Sequence, residues 1–222
     1  MNQPTGLALH RVTISLGALE LVPETTLTVA PGEVATVMGP SGTGKSTLLN
    51  YLCGTLSPAF FADGQIFIHG RNITTLPIEK RRIGILFQDD LLFPHMSVGE
   101  NLLFALPQSI KGRRQRQYLA EQALHEAELA GYFNRSPATL SGGQRARVAL
   151  MRTLLSNPEI ILLDEPFAKL DTELRAVIRQ FVFAHIAARG LPTLLVTHDI
   201  RDAQAAGGPR LYLGARTTDH HP

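Results

Sequence analysis

Two glycine-rich stretches of this chain, about a hundred residues apart, carry the residue types that grip phosphate. In the first, Gly39, Pro40, Ser41, Gly42, Thr43 and Gly44 form a turn, Lys45 closes it, and Ser46 and Thr47 begin the next run. The spacing is G-x-x-x-x-G-K-[ST]. Glycines let backbone amides turn inward around phosphate oxygens, and a helix that follows adds its N-terminal amides and positive dipole end. At that spacing Lys45 reaches β- and γ-phosphates, and the Ser46 hydroxyl is placed to ligate Mg²⁺.

Carboxylates follow at 164 and 165. The run IILLDE is apolar until Asp164 and Glu165, which suits a strand buried on both faces with its acidic end where an α/β sheet places ligands. Asp164 fits the role of holding Mg²⁺, directly or through water. Glu165 is suited to polarise a water for attack on a γ-phosphate. The plainer reading is that one of them caps the helix after Pro166. His198, in THD, ends another apolar strand; it is either a polar terminus or a contact to the γ-phosphate and attacking water. The remaining histidines carry no such pattern.

The second glycine stretch is Ser141-Gly142-Gly143-Gln144. As S-x-x-Q it is a capping box, complete without any ligand. Capping does not require two glycines, however, and glycine weakens a helix. Bare amides at a helix start suit an anion that approaches the backbone closely. Lys45 already serves one phosphate group in this chain, so the second cradle is expected to serve a nucleotide held by another molecule.

The elements that must position these residues alternate. LALHRVTISL, LTV and EVATVMG read as strands, KSTLLNYLCG as a helix, QIFIHG as an edge strand and RRIGILFQ as a strand ending at Gln88. From 89 to 157 helical patterns take over; then EIILLDE and LPTLLVTHD, separated by the helix-like DTELRAVIRQFVFAHIAARG, restore strand character. Alternating strands and helices argue a mostly parallel sheet. The chain of 222 residues is 44% apolar and has a net charge of +2, too small to imply a polyanionic partner. Cys53 is the single cysteine, so no internal disulfide forms. The N-terminus has no signal-peptide pattern, and no apolar run approaches the roughly 20 residues a membrane span needs.

Gly39–Thr47, Gln88, Leu140–Gln144, Ile160–Glu165, Asp171 and His198 fall in the order and spacing of the ATP-binding-cassette ATPases, a family the chain resembles over nearly its whole length. That resemblance implies an α/β fold: a P-loop NTPase (RecA-like) core with an N-terminal antiparallel β subdomain and an inserted helical subdomain. Residues 1–88 and 158–222 would form the nucleotide-binding core, and 89–157 the helical subdomain with the signature turn. Two copies would pair head to tail around two MgATP, each ATP lying between the P-loop of one copy and the Ser141–Gln144 turn of the other. Gln88, by its sequence only a polar strand end, would contact Mg²⁺ and the attacking water. FAKLD at 167–171 resembles the loop that crosses the dimer interface, with Asp171 at its end and Ala168 where a serine is common. Leu16 falls where the family stacks an aromatic ring on adenine, and no Phe, Tyr, Trp or His lies between residues 11 and 50.

FQDDLLFPHMSVGENLLFAL looks like the same segment in ATPases of binding-protein-dependent importers. Its LLFPHM is either core or the wall of a groove for a membrane subunit's coupling helix. The resemblance implies permease partners, a solute-binding protein acting indirectly, and a place on the cytoplasmic face of the inner membrane. Because the chain stops soon after His198, no C-terminal regulatory domain is expected. Two other classes compete. A soluble cassette ATPase acting on nucleic acid or the ribosome draws on KRR at 80–82 and KGRRQR at 111–116, but no aromatics interleave there for base stacking, so no nucleic-acid partner is expected. A small-molecule kinase is disfavoured by the second anion site and the carboxylate poised for water.

Overall fold

The computed structural model describes residues 5–214. Two compact units divide the chain, one formed by residues 1–81 and 189–222, the other by 82–188.

In the first unit, β1 (Leu7–Leu16), β2 (Leu19–Val29), β4 (Phe61–Ile68) and the two-residue β5 (Arg71–Asn72) form an antiparallel sheet ordered β2-β1-β4-β5. Leu7, Leu9, Val12 and Ile14 of β1 are buried. The jump from Leu9 to Val12 breaks strict alternation, because a bulge at Arg11 (φ 52°) re-aims the strand. Gly64 stands opposite, where a Cβ would lie 2.4 Å from the Arg11 carbonyl oxygen. Two strand expectations change. QIFIHG is part of β4, an inner strand between β1 and β5, and β2 reaches back from LTV to Leu19. Its Pro23 is tolerated because β2 is the sheet edge and that residue needs no donor.

A parallel set completes this unit: β3 (Val34–Met38) lies between β8 (Thr193–Val196) and β9 (Gly207–Tyr212). β3 is buried along its whole length, as a strand covered on both faces must be. Two helices, α1 (Lys45–Cys53) and α7 (Ile200–Ala206), and the short α2 (Ile78–Arg81) join these strands.

Arg81 fastens the far end of α1. It is buried, and its guanidinium donates to the carbonyls of Tyr51, Leu52, Thr74 and Leu76 at 2.6–2.8 Å. Burial pulls its pKa below the usual arginine value, yet it remains a cation, well placed at a helix C-terminus. Gly54 stops α1 in the left-handed conformation, and a Cβ there would lie 2.7 Å from Arg81 Nε. Arg81→Met leaves the carbonyls of Leu52, Thr74 and Leu76 without this donor, while that of Tyr51 keeps the Gly54 amide. The expected cost is about 3 kcal/mol, or about 6–12 °C in the midpoint of a thermal scan; an unchanged midpoint would show that water replaces the guanidinium.

In the second unit, β6 (Ile83–Leu86) and β7 (Ile160–Asp164) pair in parallel, with Leu86 beside Leu163. Four helices accompany them: α3 (Val98–Ala105), α4 (Arg113–Glu126), α5 (Gly142–Leu155) and α6 (Thr172–Ala188). α3 opens with a capping box from Ser97 and Glu100. Asn101, fully buried, holds the loop before it by accepting from the Phe93 amide and donating to the carbonyls of Phe93 and Ser97.

Candidate functional site

The 39–47 turn leaves β3 and enters α1. Gly39, Gly42 and Gly44 all take positive φ, at 151°, 82° and 93°. At two of them a side chain would also collide: a Cβ on Gly39 would sit 2.3 Å from the Leu213 carbonyl oxygen, and one on Gly44 2.9 Å from that of Leu21. Thr43 bonds back to the Pro40 carbonyl at 2.9 Å and closes the turn. Lys45 is only 8% exposed, and its ammonium is held inside the turn by the carbonyls of Gly39 and Pro40, at 2.8 and 2.7 Å. A fixed cation therefore points into a ring of backbone. Ser46, one residue on, is exposed at the start of α1.

His198 belongs to the same neighbourhood. β8 runs parallel to β3 with Val196 beside Val37, and the Thr197 amide donates to the Val37 carbonyl at 3.2 Å. His198 thus leaves β8 next to the start of the 39–47 turn. The Thr197 hydroxyl accepts from the Asp199 amide and bonds Asp202, and Asp199 caps α7, so the chain around His198 is held from both sides. Leu16 is 43% exposed at the tip of the β1–β2 hairpin, opposite Leu19, which is 60% exposed. β2 touches the turn through Leu21 and Gly44.

In the second unit, Gln88 lies two residues past β6, Asp164 ends β7 and Glu165 is the next residue. The parallel pairing, with Leu86 beside Leu163, puts the chain leaving β6 toward Gln88 and the chain leaving β7 at Glu165 at the same edge. Glu165 has a φ of 47°, a left-handed conformation that a non-glycine residue adopts at a cost. A turn from the Ala168 amide to its carbonyl follows at 3.1 Å. Asp171 caps α6, accepting from the Leu174 amide at 3.0 Å.

Ser141 and Gln144 form the capping box that their spacing implied: the Ser141 hydroxyl accepts from the Gln144 amide at 3.3 Å, and the Gln144 carboxamide accepts from the Ser141 amide at 2.9 Å. Among the described residues the amides of Gly142 and Gly143 have no partner. The two glycines differ. A Cβ on Gly143 would lie 2.6 Å from Leu174 Cδ1, so the end of that leucine would have to turn aside for any larger residue. Around Gly142 nothing lies nearer than 3.8 Å. Packing therefore favours glycine at 143 and makes no demand at 142.

Four residues near these loops are not singled out by the sequence. Asp90, two past Gln88, bonds Arg145, one past Gln144, and Arg152 binds the backbone at Asp90 and Leu91. The pair of aspartates after Gln88 was the available signal. Phe61, 70% exposed, is the cross-strand partner of Ser15 beside Leu16, an aromatic that lies far from the hairpin in sequence. Of LLFPHM, Leu91 and Phe93 line a groove. Leu91, Phe93 and Phe104, with Ile83, Ile85 and Arg152, surround an open volume of about 460 Å³.

The Ser46 hydroxyl in one unit, and the Gln88 carboxamide and Asp164 carboxylate in the other, are each hard oxygen donors of the kind that suits Mg²⁺. Among the described residues no group of three or more His, Cys, Asp or Glu could hold a metal ion unaided. No described helix is long and apolar enough to cross a membrane.

A strand, the 39–47 turn with its enclosed lysine and a following helix, within a mixed α/β framework, define a P-loop nucleoside triphosphatase. The ABC transporter family model matches residues 22–168, and the chain belongs to that family. It is an ATP-binding subunit and ATPase of that family. The Escherichia coli (strain K12) uncharacterized ABC transporter ATP-binding protein YnjD is 47% identical over 90% of this chain and 91% of its own. The Rhizobium etli Fe(3+) ions import ATP-binding protein FbpC is 38% identical over 91% of this chain, which spans 57% of that relative's length. Among solved structures, a dimeric post-hydrolysis state of the ATP-binding cassette MJ0796, bound to ADP and phosphate, superposes with a TM-score of 0.74 at 32% identity, covering 93% of this chain and 94% of that one.

Proposed function

We propose that two copies of this chain close head to tail around two MgATP and hydrolyse them to drive solute import through membrane subunits. The observation that carries this reading is one chain with two glycine-bearing helix starts, the first enclosing a lysine and the second closed by a capping box with no lysine in its turn. The amides of Gly39–Thr47 and the Lys45 ammonium hold the β- and γ-phosphates. The hydroxyl of Ser46, with Asp164 and Gln88, would hold Mg²⁺, which supplies charge neutralisation on the phosphates. Glu165 takes the proton of the attacking water, and Gln88 and His198 orient that water and the γ-phosphate. The partner's nucleotide rests on the bare amides of Gly142 and Gly143, beside Ser141 and Gln144, and Asp171 lies in the interface. Residues 89–157 act as the helical subdomain and 1–88 with 158–222 as the core.

The apolar groove around Leu91, Phe93 and Phe104 is the docking site for a permease helix. Import is favoured over export by the similarity to iron-import ATPases such as FbpC. The chain would then sit at the cytoplasmic face of the inner membrane, and a solute-binding protein would act through the permease. Affinity capture from detergent-solubilised membranes tests this: hydrophobic subunits should come down with the wild type and be lost with Phe104→Asp. Recovery of the chain alone, from the soluble fraction, would overturn the transporter reading.

Base selectivity is expected to be weak. The hairpin tip bordering the P-loop offers Leu16 and Leu19, which cannot supply the roughly 1–3 kcal/mol that ring stacking contributes per base. GTP should be hydrolysed with an efficiency comparable to ATP, and Leu16→Tyr should tighten both. A strong wild-type preference for ATP, erased by Phe61→Ala, would assign the base to Phe61 instead.

A further inference from the structure

The segment after Gln88 is fastened at several points within the 82–188 unit. The Asp90 carboxylate accepts from Arg145 Nε at 2.8 Å, and the same guanidinium donates through Nη1 to the Leu140 carbonyl at 2.7 Å. Leu140 and Arg145 bracket the Ser141–Gln144 turn. Two helical turns further along α5, Arg152 donates to the carbonyls of Leu91 and Asp90, at 2.6 and 3.0 Å. Asp89 pairs with Lys169 in the loop after Glu165. Leu91 has a φ of 47°, a conformation that a leucine keeps only where its surroundings over-determine it.

These bonds do more than start α5. The Ser141–Gln144 capping box already starts α5, and a guanidinium, which only donates, cannot take up the amides left bare there. The Asp90 and Arg145 side chains are only 28% and 38% exposed, which sets this pair apart from the solvated Asp89–Lys169 contact, where screening leaves little. Arg145 joins the entry of the turn to a residue two positions from Gln88, and Arg152 holds the same segment from further along the helix. The segment and α5 are therefore bound to move as one piece.

We propose that Asp90, acting through Arg145, is a positioning residue that locks the Ser141–Gln144 turn to the strand end carrying Gln88. The two nucleotide contacts of one chain, through Gln88 to its own ATP and through the turn to its partner's, then form and release together. This rests on the dimer reading given under Proposed function.

The test uses the full chain in a Glu165→Gln background, with ATP-driven dimerisation followed by light scattering. Asp90→Asn keeps the side-chain shape and removes the charge. It is expected to raise the ATP concentration at half-dimerisation about tenfold, within the range of coupling energies between linked sites. Binding of a fluorescent ATP analogue to the monomer should not change. Arg145→Gln should match it, and the double variant should be no worse than either single one, since both remove one link. Asp90→Glu should restore dimerisation. Dimerisation of Asp90→Asn at the parent's ATP concentration would overturn the proposal. So would additive losses in the double variant, or a loss explained by a fallen thermal midpoint. If the Glu165→Gln parent itself fails to dimerise with ATP, the dimer reading falls and this inference with it; if the parent dimerises and Asp90→Asn is silent, only this inference falls.

Discussion

Glu165→Gln is expected to bind MgATP as the wild type does and to hydrolyse it about 10²–10⁴-fold more slowly, the usual worth of a positioned general base. The substitution is nearly isosteric. Glu165 follows β7 in a left-handed conformation, and the next turn is made by its backbone carbonyl, so glutamine preserves the local geometry and removes only the basicity. Strain of this kind persists at sites where the surroundings insist on one side-chain direction. With hydrolysis blocked, the ATP-bridged dimer should accumulate and elute early from a size-exclusion column run with ATP. Steady-state turnover at the wild-type rate would remove Glu165 from the role, and slow turnover without a stable dimer would separate the base from the dimer reading.

Ser141→Arg is expected to abolish ATP-driven dimerisation and to bring hydrolysis down to the level of the isolated monomer, while nucleotide binding by that monomer stays nearly intact. The reason is geometric. The new side chain puts bulk and charge over the amides of Gly142 and Gly143, whereas the Lys45 turn lies in the other compact unit and is untouched. One confounding effect has a known size. Ser141 is the N-cap of α5, and losing a cap costs about 1 kcal/mol. Ser141→Ala loses the same cap without adding bulk, so it is the control: it should lower the thermal midpoint to a similar degree yet still dimerise. Equal loss of dimerisation in both variants would mean that the cap, not access to the amides, is what matters. Loss of monomer binding in Ser141→Arg would mean that the turn serves its own chain's nucleotide.

The phosphate-binding elements were legible in the sequence because their geometry is local. A turn with glycines at 39, 42 and 44 adopts its positive φ values from its own covalent freedom, and a capping box needs only residues three apart. The apolar runs of β3 and β7, buried along most of their length, likewise announce themselves. Strand neighbours were less legible. QIFIHG alternates whether it is an edge or an inner strand, since the pairing that decides between them comes from Arg71–Asn72 and from β1, more than fifty residues earlier.

By itself, then, the sequence determined which residues could cradle phosphate, carry a carboxylate at a strand end, or start a helix, because each depends on near neighbours along the chain. Only the tertiary structure decided what depends on partners far apart in sequence. It gave Gly143 a packing reason in Leu174, and it brought Phe61 beside Ser15. It also joined Asp90 to Arg145 across 55 positions. Such pairings follow from how sheets and helices pack, a choice that no spacing rule within a single element contains.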